Sequence, residues 1–241
     1  MMKRLRSSGG YRMLASFQTT TIIYDATVWF CEKFLDARSR TVDQMVQAAR
    51  SGRQNIAEGS RASATSTESE LKLVNVARSS LEELLLDFED FLRHKHLSTW
   101  GRDSDQTHLV RQVATTRPGI ADLSDQQRWE LYKDWLEHPN SEIRANAIIC
   151  LIHQANFLLD QQLGRLEQEF IERGGYREQL NAARFQHRAE HPADSQNPDS
   201  PACPSCGGAM SIRTARSGKS AGSQFWGCCK YPECSGIVSI D

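Results

Sequence analysis

The sequence predicts a mainly helical protein, a bundle of four long helices, that ends in a small cysteine-stapled module built on a hairpin. Two observations carry this. Apolar residues recur at three- and four-residue steps over four long segments, none hydrophobic all round, which is the pattern of helices that each bury one face. Five of the seven cysteines lie between Cys203 and the end of the chain. That crowding speaks for a metal site in a reducing compartment rather than a disulfide framework.

The elements follow in order. Residues 1–15 are basic and contain Gly and Ser, which predicts a loosely held N-terminus. From about Ser16, the residues Ile23, Ala26, Thr27, Phe30 and Phe34 describe a first helix face running to near Arg38. A second helix spans Val42 to Glu58, with Val42, Met45, Val46, Ala49 and Ile56 inward and Gly59 placed to stop it. Thr67 with Glu70 reads as a capping box for a long third helix reaching about His96. Its apolar side is Leu71, Val74, Leu81, Leu84, Leu85 and Phe88, and its outer side is acidic.

Residues 97–140 are polar and read as an irregular insertion. Within it, Ser124 and Gln127 cap a short helix bearing Trp129, Tyr132, Trp135 and Leu136. Ser141 then caps a fourth long helix, stepping through Ile143, Ala147, Leu151, Ala155, Leu158 and Leu166 until Gly174-Gly175. The expected organisation is a helical body over 16–175, an extension and linker over 176–201, and a terminal module over 202–241. Cys31 and Cys150 fall on apolar helix faces and are expected to be buried small hydrophobes.

Composition bounds the function. The chain has 241 residues, 39% hydrophobic and 24% charged, with a formal net charge of -1. It is no polycation, so any nucleic-acid surface must be a local patch. No apolar run approaches the ~20 residues of a membrane span. Lys3, Arg4 and Arg6 are not followed by an apolar region, so no signal peptide is expected. The expectation is a cytoplasmic protein without membrane contact.

The cysteine spacing carries the strongest chemical signal. Two residues separate Cys203 from Cys206 and five separate Cys228 from Cys234. This makes two halves of a four-thiolate site, and soft thiolates in a closed tetrahedral shell suit Zn2+ in a structural role. Cys229 stands beside Cys228 and is the alternative ligand in a register exchange. No Walker loop, H-E-x-x-H or G-x-S-x-G motif occurs. The one D-x-D, Asp103-Ser104-Asp105, reads as a solvated loop, so no enzyme activity is expected.

On the second helix, Arg50, Arg53 and Arg61 contribute to a local positive excess. They read either as a nucleic-acid contact or as a face paired with acidic neighbours. Asn55, Glu58 and Arg78 are candidates for a polar network between the second and third helices.

Two resemblances extend this reading. The run Gln47–Arg61, Q-A-A-R-S-G-R-Q-N-I-A-E-G-S-R, followed by R-S-S-L-E-E from Arg78, resembles the 23S rRNA intervening-sequence proteins. That group includes the accessory variability proteins of diversity-generating retroelements. The signature residues here are Asn55, Ile56, Ala57, Glu58 and Gly59, then Arg78. The likeness implies an antiparallel four-helix bundle, a homo-oligomer (a pentamer in the retroelement branch), nucleic-acid association and a reverse transcriptase as partner. The segment C-P-S-C-G-G … F-W-G-C-C-K-Y-P-E-C resembles the four-cysteine zinc finger of bacterial type I DNA topoisomerases. It implies a small β zinc ribbon with Cys203, Cys206, Cys228 and Cys234 as ligands.

That second likeness also implies single-stranded DNA held by stacking and charge. Phe225, Trp226 and Tyr231 would stack bases, and Arg213, Arg216, Lys219 and Lys230 would meet phosphates. Phe225 and Tyr231 could instead pack the ribbon core, whereas strand alternation puts Trp226 on the other face. The expected function is a non-enzymatic adaptor for DNA or RNA, single strands favoured. The alternative is a protein-interaction scaffold for a partner enzyme such as a reverse transcriptase.

Overall fold

The computed structural model describes residues 10–64, 66–116, 119–190, 200–215 and 222–240. The expectations placed on the first nine residues, on 191–199, and on Arg216 and Lys219 lie outside the described residues. The protein is mostly helical, with a small antiparallel sheet near its C-terminus. It divides into two compact units between Tyr176 and Arg177.

In the first unit, a 3-10 turn at Tyr11–Met13 leads into α1 (Ala15–Phe34), α2 (Arg40–Ala62) and α3 (Thr67–His94). After α4 (Asp105–Thr116) and α5 (Asp125–Leu136) comes α6 (Ser141–Arg173). Helix α1 packs on α2 and α6, and α3 packs on the same two. The core between them is apolar and dense. Phe30, Phe88, Met45, Ile56, Leu84 and Leu151 are fully buried. Phe30 sits at its centre, with ring centroids 5.0 Å from Phe88 and 4.9 Å from Phe91, both edge-to-face. Edge-to-face pairs bring positive ring edges onto negative faces, adding about 0.5–1.5 kcal/mol each beyond burial.

The buried polar residues of α1 are satisfied within it or across it. Thr20, Thr21 and Thr27 donate back to carbonyls one turn earlier, Thr27 to Ile23 at 2.7 Å. Ser16 donates to Gln162 on α6 at 3.1 Å.

Helix ends differ from expectation by one or more residues, because capping geometry rather than residue type decides them. Ser66, not Thr67, caps α3, its Oγ accepting from the Ser69 N–H at 3.1 Å. Asn140, not Ser141, caps α6, accepting from the Glu142 N–H at 2.8 Å. The Ser124–Gln127 capping box of α5 is present in both directions. Helix α1 ends at Phe34, short of Arg38. Helix α3 closes through His96 at φ 54, with the Leu97 N–H returning to the Leu92 carbonyl at 2.9 Å.

Gly59 does not stop α2. The helix runs on to Ala62, and Gly59 is a buried interior position against α3. A Cβ there would meet Leu73 Cβ at 3.4 Å, ordinary contact, whereas at Gly52 it would come 2.9 Å from Leu81 Cδ2. α2 and α3 approach closely at both glycines.

Residues 97–140 are more regular than their polarity suggests. Ser104 accepts from the Thr107 N–H at 3.3 Å at the start of α4, and Asp105 is that helix's first residue, not loop. Val110 of α4 and Tyr132 and Leu136 of α5 join the core cluster. Trp129 tilts against Trp29 at 5.7 Å. The segment therefore packs onto α6 and α1.

The second unit holds most of α7 (Tyr176–Glu190) and three short strands. These are β1 (Met210–Thr214), β2 (Gln224–Cys228) and β3 (Ile237–Ser239), in that order in an antiparallel sheet. Among the described residues no helix is long and apolar enough to cross a membrane.

The two α2 glycines separate on substitution. Gly59→Ala gains up to about 1 kcal/mol of helix propensity. Gly52→Ala forces the fully buried Leu81 aside and ends about 1–3 kcal/mol below it. Urea unfolding followed by circular dichroism measures both; equal midpoints would contradict the close approach at Gly52.

Candidate metal centre and nucleic-acid interface

The terminal unit has almost no apolar core. Its buried residues are Cys203, Met210 and Cys228, with Trp226, Cys234 and Val238 packed around them. Three of these six are cysteines, so the interior is organised around sulfur. The turn after Cys203 brings Cys206 back beside it, with the Gly207 N–H returning to the Cys203 carbonyl at 2.8 Å. Gly207 sits at φ 66, a left-handed conformation that glycine adopts without Cβ strain. Cys228 comes from the end of β2, and Cys234 from the turn that follows.

The four sulfurs converge. Cys203 Sγ lies 3.7 Å from Cys234 Sγ, and Cys206 Sγ lies 3.6 Å from Cys228 Sγ. All four lie within 4.8 Å of one another. A tetrahedron of metal–thiolate bonds about 2.3 Å long has sulfur–sulfur edges of about 3.8 Å. The donor set and its spacing fit a tetrahedral metal ion.

Backbone N–H groups favour the thiolate form. The Ser205 N–H, then that of Cys206, pulls the Cys203 thiol down to about 6. The Lys230 N–H reaches Cys228 Sγ at 3.4 Å and favours its thiolate, but burial and the neighbouring cysteine sulfurs outweigh it and push the Cys228 thiol up to about 12. The adjacent Cys229 takes no part. Its side chain is exposed, and its N–H is bound to the Ala209 carbonyl at 3.0 Å. This settles the choice between neighbouring cysteines in favour of Cys228.

Gly236 was not singled out in the sequence. Its carbonyl accepts the Cys228 N–H at 3.0 Å. A Cβ there would fall inside the radius of Cys203 Sγ. The only signal was a glycine two residues after the last ligand.

The strand register sorts the candidate nucleic-acid residues. Trp226 of the central strand pairs with Ile212 and Val238, and Phe225 pairs with Arg213 and Ser239. Alternation puts Trp226 on the face that carries Met210 and Cys228, so Trp226 packs on the sulfur cluster. The expectation of Trp226 as the free platform is reversed. The opposite face carries Arg213, Phe225 and Ile237. Tyr231 is 57% exposed, and the Arg213 guanidinium lies 5.6 Å from its ring. Arg213 also donates to the Cys228 carbonyl at 3.2 Å. It lies across Gly227, where a Cβ would stand 2.8 Å from Arg213 Cδ. Lys230 is exposed at the turn.

On the helical unit the outcome is mixed. Arg78 pairs with Asp160 on α6 at 2.8 Å, not with Asn55 or Glu58. Asn55 donates to the Ser51 carbonyl one turn earlier at 2.9 Å. Glu58 is exposed. The expected three-residue network is not formed; Ser80 meets Ser51 at 3.0 Å across α2 and α3 instead. Helical phase turns Arg78 towards α6, which residue type could not reveal.

Arg53 and Arg61 line a surface groove of about 360 Å³ together with Tyr11, Arg12, Phe17 and Glu58. Arg50 is exposed and lies outside that lining. The guanidiniums of Arg12 and Arg61 lie 5.5 Å and 5.6 Å from the Tyr11 ring, and Arg53 lies 4.3 Å from Tyr24. Burial pushes Asp25 above the usual carboxylate range, against the pull of Arg53. Cys31 and Cys150 are buried, and burial raises the Cys31 thiol to about 12.

Comparison with family models, with curated proteins and with solved structures finds no match to this chain.

The geometry separates two neighbouring cysteines and one glycine. Cys228→Ser lowers the intensity of the thiolate-to-metal charge-transfer band of the Co2+-loaded protein by about a quarter or more, as loss of one of four thiolates requires, and Cys229→Ser leaves it intact. Gly236→Ala lowers metal affinity by about tenfold or more, because the added carbon displaces a ligand sulfur. Competition with a chromogenic chelator reads this; an unchanged affinity would overturn the assigned role of Gly236.

Proposed function

We propose that this protein is a non-enzymatic adaptor for single-stranded nucleic acid, in which a zinc ribbon does the gripping. Zn2+ is the ion because four thiolates in a closed shell match its softness and leave no position for a reacting water. The observation that carries the reading is the outer ribbon face. Phe225 is half-buried, Tyr231 exposed, and Arg213 lies between sheet and ring. An aromatic beside a guanidinium offers a base a stacking surface and its phosphate a counter-charge. Lys230 and, by sequence, Arg216 and Lys219 extend the positive charge.

The helical unit is read as an antiparallel four-helix bundle of the intervening-sequence type, formed by α1, α2, α3 and α6. The contact pattern of these helices supports it, as do the N-I-A-E-G and R-S-S-L-E-E residues. In this reading the bundle is a homo-oligomer, a pentamer by the resemblance. Trp29, Val76 and Leu86, all exposed, supply apolar surface for subunit contacts. Several ribbons on one oligomer raise avidity, since each further ribbon binds at an effective concentration near millimolar. The same exposed residues support the second reading, a scaffold that docks a partner enzyme such as a reverse transcriptase.

Binding of fluorescent single-stranded DNA and RNA, measured by anisotropy across a salt series, tests the first reading. Affinity falls steeply with salt and is lost on chelation or in Cys203→Ser. Tyr231→Ala weakens it by about five- to 150-fold, the equivalent of about 1–3 kcal/mol of stacking. No binding below about 10 μM at low salt would sink the idea. Native mass spectrometry reads the oligomer, and a monomer at micromolar concentration refutes the ring.

A further inference from the structure

A second cavity in the helical unit has a different character. It measures about 650 Å³ and is bounded by α3, α4, α6 and the 99–102 segment. That volume lies within the roughly 300–1,000 Å³ of small-molecule sites. Its apolar wall is Trp100, Phe157 and Leu158. Trp100 is held in place by α6. Its N–H donates to Asn146 Oδ1 at 2.7 Å, and Asn146 Nδ2 donates to the Ser98 carbonyl at 2.8 Å. The fixed backbone presents the indole to the cavity without a ligand having to order it.

Three polar features stand against this wall. The side chains of Arg102 and Arg111 line the cavity. Among the described residues neither guanidinium has a carboxylate within ion-pair distance. Arg111 donates to the Arg102 carbonyl at 3.3 Å, which draws the two residues together. Gln154 Oε1 is buried without a hydrogen-bond partner among the described residues. Glu89 is the one acidic residue in the lining, against two arginines.

We infer that this cavity binds a small amphipathic organic anion, an aryl or alkyl carboxylate or sulfonate. The anionic group meets Arg102 and Arg111. The body lies along Trp100, Phe157 and Leu158. The cavity is lined by residues between Glu89 and Leu158, in the first unit, whereas the sulfur cluster belongs to the second.

Anilinonaphthalene sulfonate, an aromatic sulfonate carrying an N–H, is the probe, used on the full metal-loaded chain. The expected result is saturable binding with a blue-shifted emission. Energy transfer excited through tryptophan falls in Trp100→Phe. Decanoate displaces the probe and decylammonium does not. The double variant Arg102→Gln/Arg111→Gln weakens decanoate by about tenfold or more, as loss of charge-assisted hydrogen bonds requires. Arg102 is exposed and Arg111 half-buried, so the unfolding midpoint stays where it was. The comparison of decanoate with decylammonium uses the unaltered chain and does not depend on any variant folding. Equal displacement by the two, an unaltered affinity in a folded double variant, or no saturable binding up to about 1 mM overturns the inference.

Discussion

Four thiols held within 4.8 Å of one another are the constraint around which the terminal unit is arranged. Four thiolates that close repel, and four thiols leave sulfur lone pairs and N–H groups poorly matched. A divalent cation resolves both by drawing the sulfurs onto tetrahedral edges. Much follows from that demand. The left-handed Gly207 turns the chain back, and Gly236 leaves room for Cys203 Sγ. Backbone N–H groups of Ser205, Cys206 and Lys230 are spent on sulfur rather than on sheet. With Met210 the only buried apolar side chain besides cysteine among the described residues of the ribbon, hydrophobic burial alone would not hold three short strands together. A metal ion held by these sulfurs would therefore add its binding free energy to the folding of this unit.

The same constraint decides which face of the sheet is free. Because Cys228 must point at the metal, strand alternation sends Trp226 to that side and Phe225 to the other. Trp226 shields the sulfur cluster. Phe225, Arg213 and Tyr231 are left for solvent or a ligand. A hydrogen bond from Arg213 to the Cys228 carbonyl ties that outer surface to the ligand strand. In the proposed adaptor, loss of metal removes both the fold and the stacking surface at once.

The helical unit rests on a different principle, burial around Phe30 and close approach at two glycines. Its polar residues are used economically. Arg128 is buried yet paired with Asp125 at 2.6 Å, and it also caps the carbonyls of the 120–123 turn. Arg144 is buried with its Nε donating to the His138 carbonyl at 2.6 Å and its guanidinium 5.3 Å from the Phe34 ring. Against this background Arg102 and Arg111 stand out, since among the described residues neither has a carboxylate within ion-pair distance and both line one cavity.

Features that depend on local pattern were legible from the residues alone. Cys203, Cys206, Cys228 and Cys234 were set by spacing, the long helices by their apolar stripes, and the Ser124–Gln127 cap by its two side chains. Features that depend on phase, register or distant packing were not. Gly59 looked like a stop signal because glycine often ends a helix, but here it is a buried position inside α2, and α3 comes closest at Gly52 instead. Arg78 looked like a partner for Glu58, but its position on α3 turns it to Asp160, 82 residues along the chain. Helix α4 was hidden because its cap, Ser104, sat inside an acidic triplet that read as loop. Cys228 and Cys229 are identical in type and adjacent in sequence, and only the pairing of β2 with β1 decides which one faces the metal. A one-residue shift reverses every side chain on a strand, so spacing named Cys228 as the ligand but left Cys229 as an alternative, and the strand pairing removed it.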